Sequence, residues 1–290
     1  MHIAESELIL NADGSIYHLN LKPEHIADTI ITVGDQDRVQ MVSQHFDSII
    51  FETQKREFKT HTGFYKGKKL TVISTGIGTD NIDIVMNELD ALVNIDLETR
   101  QVKDKLKSLN IIRIGTSGGI QDFVELDKFV MGKAGLGFDG LIHYYRNQIS
   151  HSKATEKLVA HLSLFDKKSE PYIVESSDEL AEMFEQEIQV VSGITATNIG
   201  FYGPQGRKLR LNLQDDGFLD RLTEFEYNDY KVTNLEMETS AIYALSKMLG
   251  HKALSLNAII ANRATGEFSK NPKVVIESLI KFTLNKLANL

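Results

Sequence analysis

The sequence predicts an α/β fold: a central mixed, largely parallel, twisted β-sheet flanked by helices, in a single domain spanning residues 1–290. Two observations predict it. Short β-branched runs alternate with stretches of helical spacing over most of the chain, which requires crossover connections and strands with helices on both faces. The 290 residues are 42 % apolar, enough for one large core, and only four prolines and no low-complexity tract interrupt them, so nothing marks a linker. About fifteen residues at the start read as an N-terminal extension.

In order, the expected strands are Thr29 to Val33, Leu70 to Ser74, Asn110 to Ile114, Phe129 to Met131, Gln189 to Ser192 and Ala253 to Ile260. The expected helices are Gln36 to His45, Asn81 to Val93, Lys153 to Leu164, Asp178 to Gln186, Glu236 to Leu249 and Pro272 to Leu290. Lys59, His61, Phe64 and Tyr65 keep an amphipathic strand pattern, and Asp96 to Lys107 reads as a solvated connection or surface helix.

Composition removes several functions. There is no cysteine, so disulfides, thiolate zinc sites and cysteine nucleophiles are excluded. A net charge of −8 argues against a broad nucleic-acid surface, and any phosphate site must come from a few focused arginines. Glu5 and Glu7 stand where a signal peptide needs positive charge, and no apolar run reaches membrane-spanning length. The expectation is a cytoplasmic protein with neither nucleic acid nor membrane as partner.

The chain is organised around Ile111-Ile112-Arg113-Ile114-Gly115-Thr116-Ser117-Gly118-Gly119, read as a buried strand entering a glycine-rich turn. Arg113 offers a permanent, bidentate charge and Thr116 and Ser117 offer hydroxyls where open α/β sheets hold ligands, so an anion fits. A plain strand end with a surface arginine would carry the same letters. Gly34-Asp35-Gln36-Asp37-Arg38 is a second element of this design, a strand end opening a helix whose first N–H groups are unpaired. Ser74-Thr75-Gly76-Ile77-Gly78 is a third. Turns from three strands would converge on one crevice, and none has the dinucleotide or P-loop pattern.

Phe201-Tyr202-Gly203-Pro204-Gln205-Gly206-Arg207 brings rings, an amide and a guanidinium together, either as an ordinary surface loop or as a pocket for a flat heterocycle. Glu236-Met237-Glu238 opens a helix, where the helix dipole alone favours carboxylates. Met237 between them suits a sugar, one group lying on the ring and the other accepting from a vicinal diol. Asn262-Arg263 ends the last strand close to the same crevice.

Together Gly34-Asp35-x-x-Arg38, Arg56-Glu57-Phe58, Ser74-Thr75-Gly76-Ile77-Gly78, Arg113 to Gly118 and Glu236-Met237-Glu238 occur in the order seen in the nucleoside phosphorylase-I family, which the chain resembles from about Ile16 to the C-terminus. Phe201-Tyr202-x-x-Gln205-x-Arg207 looks like the loop of its uridine-specific members. Asn262 stands where purine-specific relatives carry a protonating Asp. Gly203-Pro204 reverses the family's Pro-Gly order, and the piece Asp96 to Lys107 is longer than the usual connection.

The resemblance implies phosphate held by Gly34, Arg38, Arg113 and Thr116, with Arg56 reaching over from a neighbouring subunit. It implies ribose held by Thr116, Glu236, Met237 and Glu238, with His18 of the neighbour at the 5′-hydroxyl. Phe201, Gln205 and Arg207 would take uracil, supported by Arg263; Arg113, Glu238 and Arg207 would be the catalytic set. No cofactor is implied beyond phosphate as co-substrate, although some relatives hold a monovalent cation near the equivalents of Glu57 and Ser74. A homodimer is the implied minimum, and family members commonly build a hexamer from dimers. The implied activity is phosphorolysis of uridine, and the alternatives are purine phosphorolysis, hydrolytic nucleosidase action and a non-enzymatic nucleoside sensor.

Overall fold

The computed structural model describes residues 2–149, 152–162, 170–185 and 187–290. The chain begins with β1 (Thr29–Val33), α1 (Gln36–Ser43), the antiparallel set β2 (Ser48–Lys55), β3 (Phe58–Tyr65) and β4 (Lys68–Ser74), then α2 (Thr79–Asn94). A small hairpin, β5 (Ile95–Asp96) and β6 (Gln101–Val102), leads to the long strands β7 (Asn110–Gly119) and β8 (Phe129–Gly137). There follow α3 (Lys153–Leu162), β9 (Tyr172–Glu175), α4 (Asp178–Glu182), β10 (Val190–Thr197), α5 (Phe218–Glu224), β11 (Glu226–Tyr227) and β12 (Tyr230–Glu236). The chain ends with α6 (Thr239–Leu249), β13 (Lys252–Asn262), β14 (Glu267–Phe268) and α7 (Pro272–Leu287). The expected helix ends at Leu164 and Gln186 fall outside the described residues, and the helix expected from Asp178 to Gln186 already stops at Glu182.

One mixed sheet runs β11-β12-β10-β8-β13-β7-β1-β4-β3-β2. β1 is parallel to both β4 and β7, β7 to β13, and β10 to both β8 and β12, so the centre is largely parallel, as expected. β12 also pairs antiparallel with the end of β7, Asn234 opposite Gly119 and Leu235 opposite Gly118, which closes β7, β13, β8, β10 and β12 into a ring.

Alternation along the central strands separates two cores, because successive side chains of a strand point to opposite faces. Ile30, Ile73 and Ile111 pack with α2 and α6 through Val85, Leu89 and Ile242, whereas Ile31, Val72 and Ile112 pack with α1, α4 and α7 through Val39, Leu180 and Leu279. A third cluster sits under α3 and α5 around Leu136, Ile194 and Val232.

The structure corrects three expectations. Gly115 to Gly119 form no turn; they continue β7, paired with β13 throughout and with β12 at Gly118 and Gly119, and none of these glycines has positive φ. The glycines serve space instead: a Cβ on Gly115 would lie 1.8 Å from Arg113 Nη1. Glu236 belongs to a strand, and the following helix starts only at Thr239, since Glu236 turns its carboxylate onto the helix's first N–H groups. Asp96 to Lys107 is neither a helix nor a bare connection but includes the β5–β6 hairpin, turned by Arg100 at φ +55° and by Asp96 accepting from the Glu98 and Thr99 N–H groups.

Candidate active site

A cleft of about 990 Å³ opens where β1, β4, β7, β12 and β13 end. Gly34 and Arg38 reach it from the β1–α1 junction, Gly76 and Ile77 from the β4–α2 turn, and Arg113, Thr116 and Ser117 from β7. Glu236, Met237 and Glu238 line it from the β12–α6 junction, Phe201, Gln205 and Arg207 from the loop after β10, and Arg263 from the end of β13. The three strand ends therefore converge. Gly76 and Gly78, at φ +71° and +100°, make the tight β4–α2 turn that a side chain would strain.

At the floor, Arg113 is buried and its guanidinium is fixed on both sides. Nη1 donates to Asn257 Oδ1 at 2.7 Å; Nη2 donates to Glu238 Oε2 at 2.5 Å and lies 3.1 Å from Glu236 Oε2. Burial alone would lower its proton affinity, but Glu236 and Glu238 overcome that and hold it above the ordinary arginine value. Arg38 differs. Burial, and then the neighbouring Arg113 charge, pull it below its ordinary value, and among the described residues no carboxylate forms an ion pair with it. Its guanidinium makes one long contact, 3.5 Å to the Ile114 carbonyl. Two guanidiniums with only one of them neutralised locally form a site for an anion. Asp35 meanwhile caps α1 by accepting from Asp37 N–H.

The two glutamates do different work. Glu236 is saturated by the protein: its carboxylate accepts from Thr197 Oγ1 at 2.6 Å, Glu238 N–H at 2.9 Å and Thr239 N–H at 3.0 Å, besides facing Arg113. Burial pushes its carboxyl up, against the pull of Arg113. Glu238 is lighter held, by Gly78 N–H at 2.8 Å and Arg113, and faces the cleft beside the half-buried Met237.

The loop after β10 is tied together from within. Arg207 lies over the Phe201 ring with its guanidinium carbon 3.8 Å from the centroid, and Nη1 donates to the Phe201 carbonyl at 2.7 Å and Gln205 Oε1 at 2.5 Å. Arg263 donates to the carbonyls of Gln205 and Gly206 at 2.9 and 3.1 Å. Burial lowers both guanidiniums, Arg207 further through Arg263, and among the described residues neither has an ion pair, so this end of the cleft is positive. Asn262 is consumed by backbone: Nδ2 donates to the Gln121 and Val124 carbonyls and Oδ1 accepts from Ala264 and Thr265 N–H groups.

Three singled-out residues lie outside the cleft of their own chain. Arg56 is exposed at the β2–β3 turn with φ +53°. His18 sits on Glu88 of α2, Nδ1 2.7 Å from Oε1. Ser74 is buried, donating to the Glu57 carbonyl at 2.6 Å and accepting from Lys59 N–H at 2.7 Å, while Glu57 itself reaches the cleft. Among the described residues no cluster of three or more His, Cys, Asp or Glu forms a metal site, and no helix is long and apolar enough to cross a membrane. Sequence reasoning missed Asn257 and Thr197, the groups that hold Arg113 and Glu236. Their signal was polar residues inside otherwise apolar strands, which must find partners when buried.

The cleft sets four guanidiniums, Arg38, Arg113, Arg207 and Arg263, among the carboxylates of Asp35, Glu57, Glu236, Glu238 and Glu267, with Met237 beside them. The chain matches the Phosphorylase superfamily over residues 28–287 and belongs to it; it is a pentosyltransferase of the nucleoside phosphorylase type. It is 31 % identical to a uridine phosphorylase of Thermococcus kodakarensis over 89 % of this chain and 81 % of that one. It is 28 % identical to a DeoD-type purine nucleoside phosphorylase of Listeria monocytogenes over 86 % of this chain and 88 % of that one. Among solved structures, a Trypanosoma brucei nucleoside phosphorylase described as showing uridine phosphorylase activity superposes with a TM-score of 0.87 at 30 % identity, covering 98 % of this chain and all of that one.

Proposed function

We propose that the chain cleaves uridine by phosphorolysis, giving uracil and ribose 1-phosphate, with the deoxy pyrimidine nucleosides as further substrates. Phosphate would sit among Gly34 N–H, Arg38, Arg113 and Thr116. It would attack C1′ from the face opposite the base while the C1′–N1 bond breaks, so the electron pair leaves with uracil and the sugar inverts. Glu238 and Met237 would hold the ribose, with Glu236 acting through the α6 N-terminus and Arg113 rather than by touching the sugar. Arg207 and Gln205 would meet the negative charge growing on the pyrimidine oxygens. His18 and Arg56, outside their own cleft, would complete the site of a neighbouring subunit, which makes a dimer the working unit. A monovalent cation near Glu57 and Ser74 would be structural.

One observation carries the choice of base. The base end offers two guanidiniums and an amide, while Asn262, neutral and wholly engaged by backbone, supplies no acid. A departing pyrimidine anion needs a positive partner; a departing purine needs a proton. Incubation with uridine, thymidine, inosine and adenosine, with and without phosphate, tests this. Uracil release that requires phosphate supports the proposal. Release without phosphate, turnover of purines in preference, or saturable binding without cleavage each contradicts it.

A further inference from the structure

Asn257 neither lines the cleft nor stands in any of the motifs that identify the family, yet it holds the buried arginine in place. Five residues on four elements form a closed ring around that guanidinium. Arg113 Nη1 on β7 donates to Asn257 Oδ1 on β13 at 2.7 Å, and Asn257 Nδ2 donates to Ser255 Oγ at 3.1 Å. Ser255 Oγ shares a hydrogen bond of 2.8 Å with Thr239 Oγ1 at the start of α6; Thr239 N–H donates to Glu236 at the end of β12, and Glu236 faces Arg113 Nη2 at 3.1 Å. Asn257, Ser255 and Thr239 are all fully buried. Because a guanidinium only donates, the amide oxygen must face the arginine, which leaves the nitrogen to Ser255.

We infer that Asn257 is a positioning residue for phosphate binding: a neutral acceptor that keeps the Arg113 guanidinium aimed into the cleft without cancelling its charge. The inference rests on the assignment of phosphate to the Arg38–Arg113 site. In the empty cleft Glu238 also holds Arg113 at Nη2, but the proposed reaction turns Glu238 to the ribose hydroxyls, and the guanidinium then rests on Asn257 at Nη1 and Glu236 at Nη2. Neutrality matters as much as the hydrogen bond. Arg38 lies within the field of Asp35 and Glu238, and Arg113 within that of Glu236 and Glu238, so two positive groups already stand against three negative ones and a further carboxylate at position 257 would deepen that excess before phosphate arrives.

The test uses the full chain and two probes, inorganic phosphate and uridine, reading each dissociation constant from the rise in melting temperature with ligand concentration. Asn257→Ala removes the acceptor, and the near-isosteric Asn257→Asp keeps it but adds charge; the second decides the matter if the first fails to fold. Phosphate affinity should fall roughly tenfold in Asn257→Ala, the scale of one lost hydrogen bond to a charged group, and further in Asn257→Asp. Uridine affinity measured without phosphate should fall less than phosphate affinity in both, since the ribose reaches the Arg113 guanidinium only through Glu238. Unchanged phosphate affinity in Asn257→Asp, or equal weakening of phosphate and uridine, overturns the positioning role. Failure of phosphate to protect the unsubstituted chain overturns the phosphate assignment itself and this inference with it, a result readable before any variant is made.

Discussion

At the scale of single residues, the site is a problem of keeping charges both buried and aimed. Gly115 shows how tightly this is solved, for a Cβ there would lie 1.8 Å from Arg113 Nη1 and 2.6 Å from Asn257 Oδ1. Gly115→Ala should fold with an unchanged circular dichroism spectrum, yet lose roughly 100-fold in kcat/KM because the guanidinium is pushed off its ion pairs. An Ala variant with full activity would mean the aim of Arg113 is unimportant. Arg207 acts at the other end, already stacked on Phe201 and bonded to Gln205. Losing a donor that meets developing charge costs about 3 kcal/mol of transition-state stabilisation, so Arg207→Ala should lower kcat for uridine roughly 100-fold. Unchanged uridine turnover would remove Arg207 from the base site.

Elements place these residues, and they were legible to unequal degrees. All six expected strands exist, because β-branched runs buried on both faces leave a strong local signal. The exposed β2 and the two-residue β11 and β14 have little apolar pattern to read, and β9, though apolar from Tyr172 to Val174, is only four residues long. Glycines 115, 118 and 119 misled for a physical reason: a glycine that frees space for a buried arginine or a crossing strand looks in sequence like one that makes a turn. Motif residues of the cleft were visible singly, but the Thr197 hydroxyl that fixes Glu236 and the Gln121 and Val124 carbonyls that make Asn262 a backbone staple are contacts over long separations. Tyr243 of α6 is of the same kind. Where the β8–β13 ladder stops, its hydroxyl donates to the Gly132 carbonyl at 2.6 Å and accepts from Ser255 N–H at 2.7 Å. Tyr243→Phe should lower stability by about 1–3 kcal/mol, since a donor and an acceptor are left buried without partners. A urea midpoint equal to that of the parent would contradict this.

For the whole molecule, a net charge of −8 disfavours broad polyanion binding, while Arg38 and Arg113 are focused in one cleft where the proposed phosphate would meet them. Completion of the cleft by a neighbour is testable by mixing. Arg56→Ala and Arg113→Ala should each be nearly inactive, and refolding them together at equal concentration should restore about a quarter of parental activity, since random pairing makes half the dimers mixed and gives each one intact site. No recovery would place Arg56 in its own chain's site or outside catalysis. The central claim is that arginines from separate strand ends gather around one inorganic phosphate. A crystal soaked with phosphate and a non-cleavable uridine analogue tests it most directly. The account predicts the ion between Arg38, Arg113, Gly34 N–H and Thr116, beneath C1′ of the analogue; an ion seated elsewhere, or a nucleoside bound with its base away from Gln205 and Arg207, would contradict it.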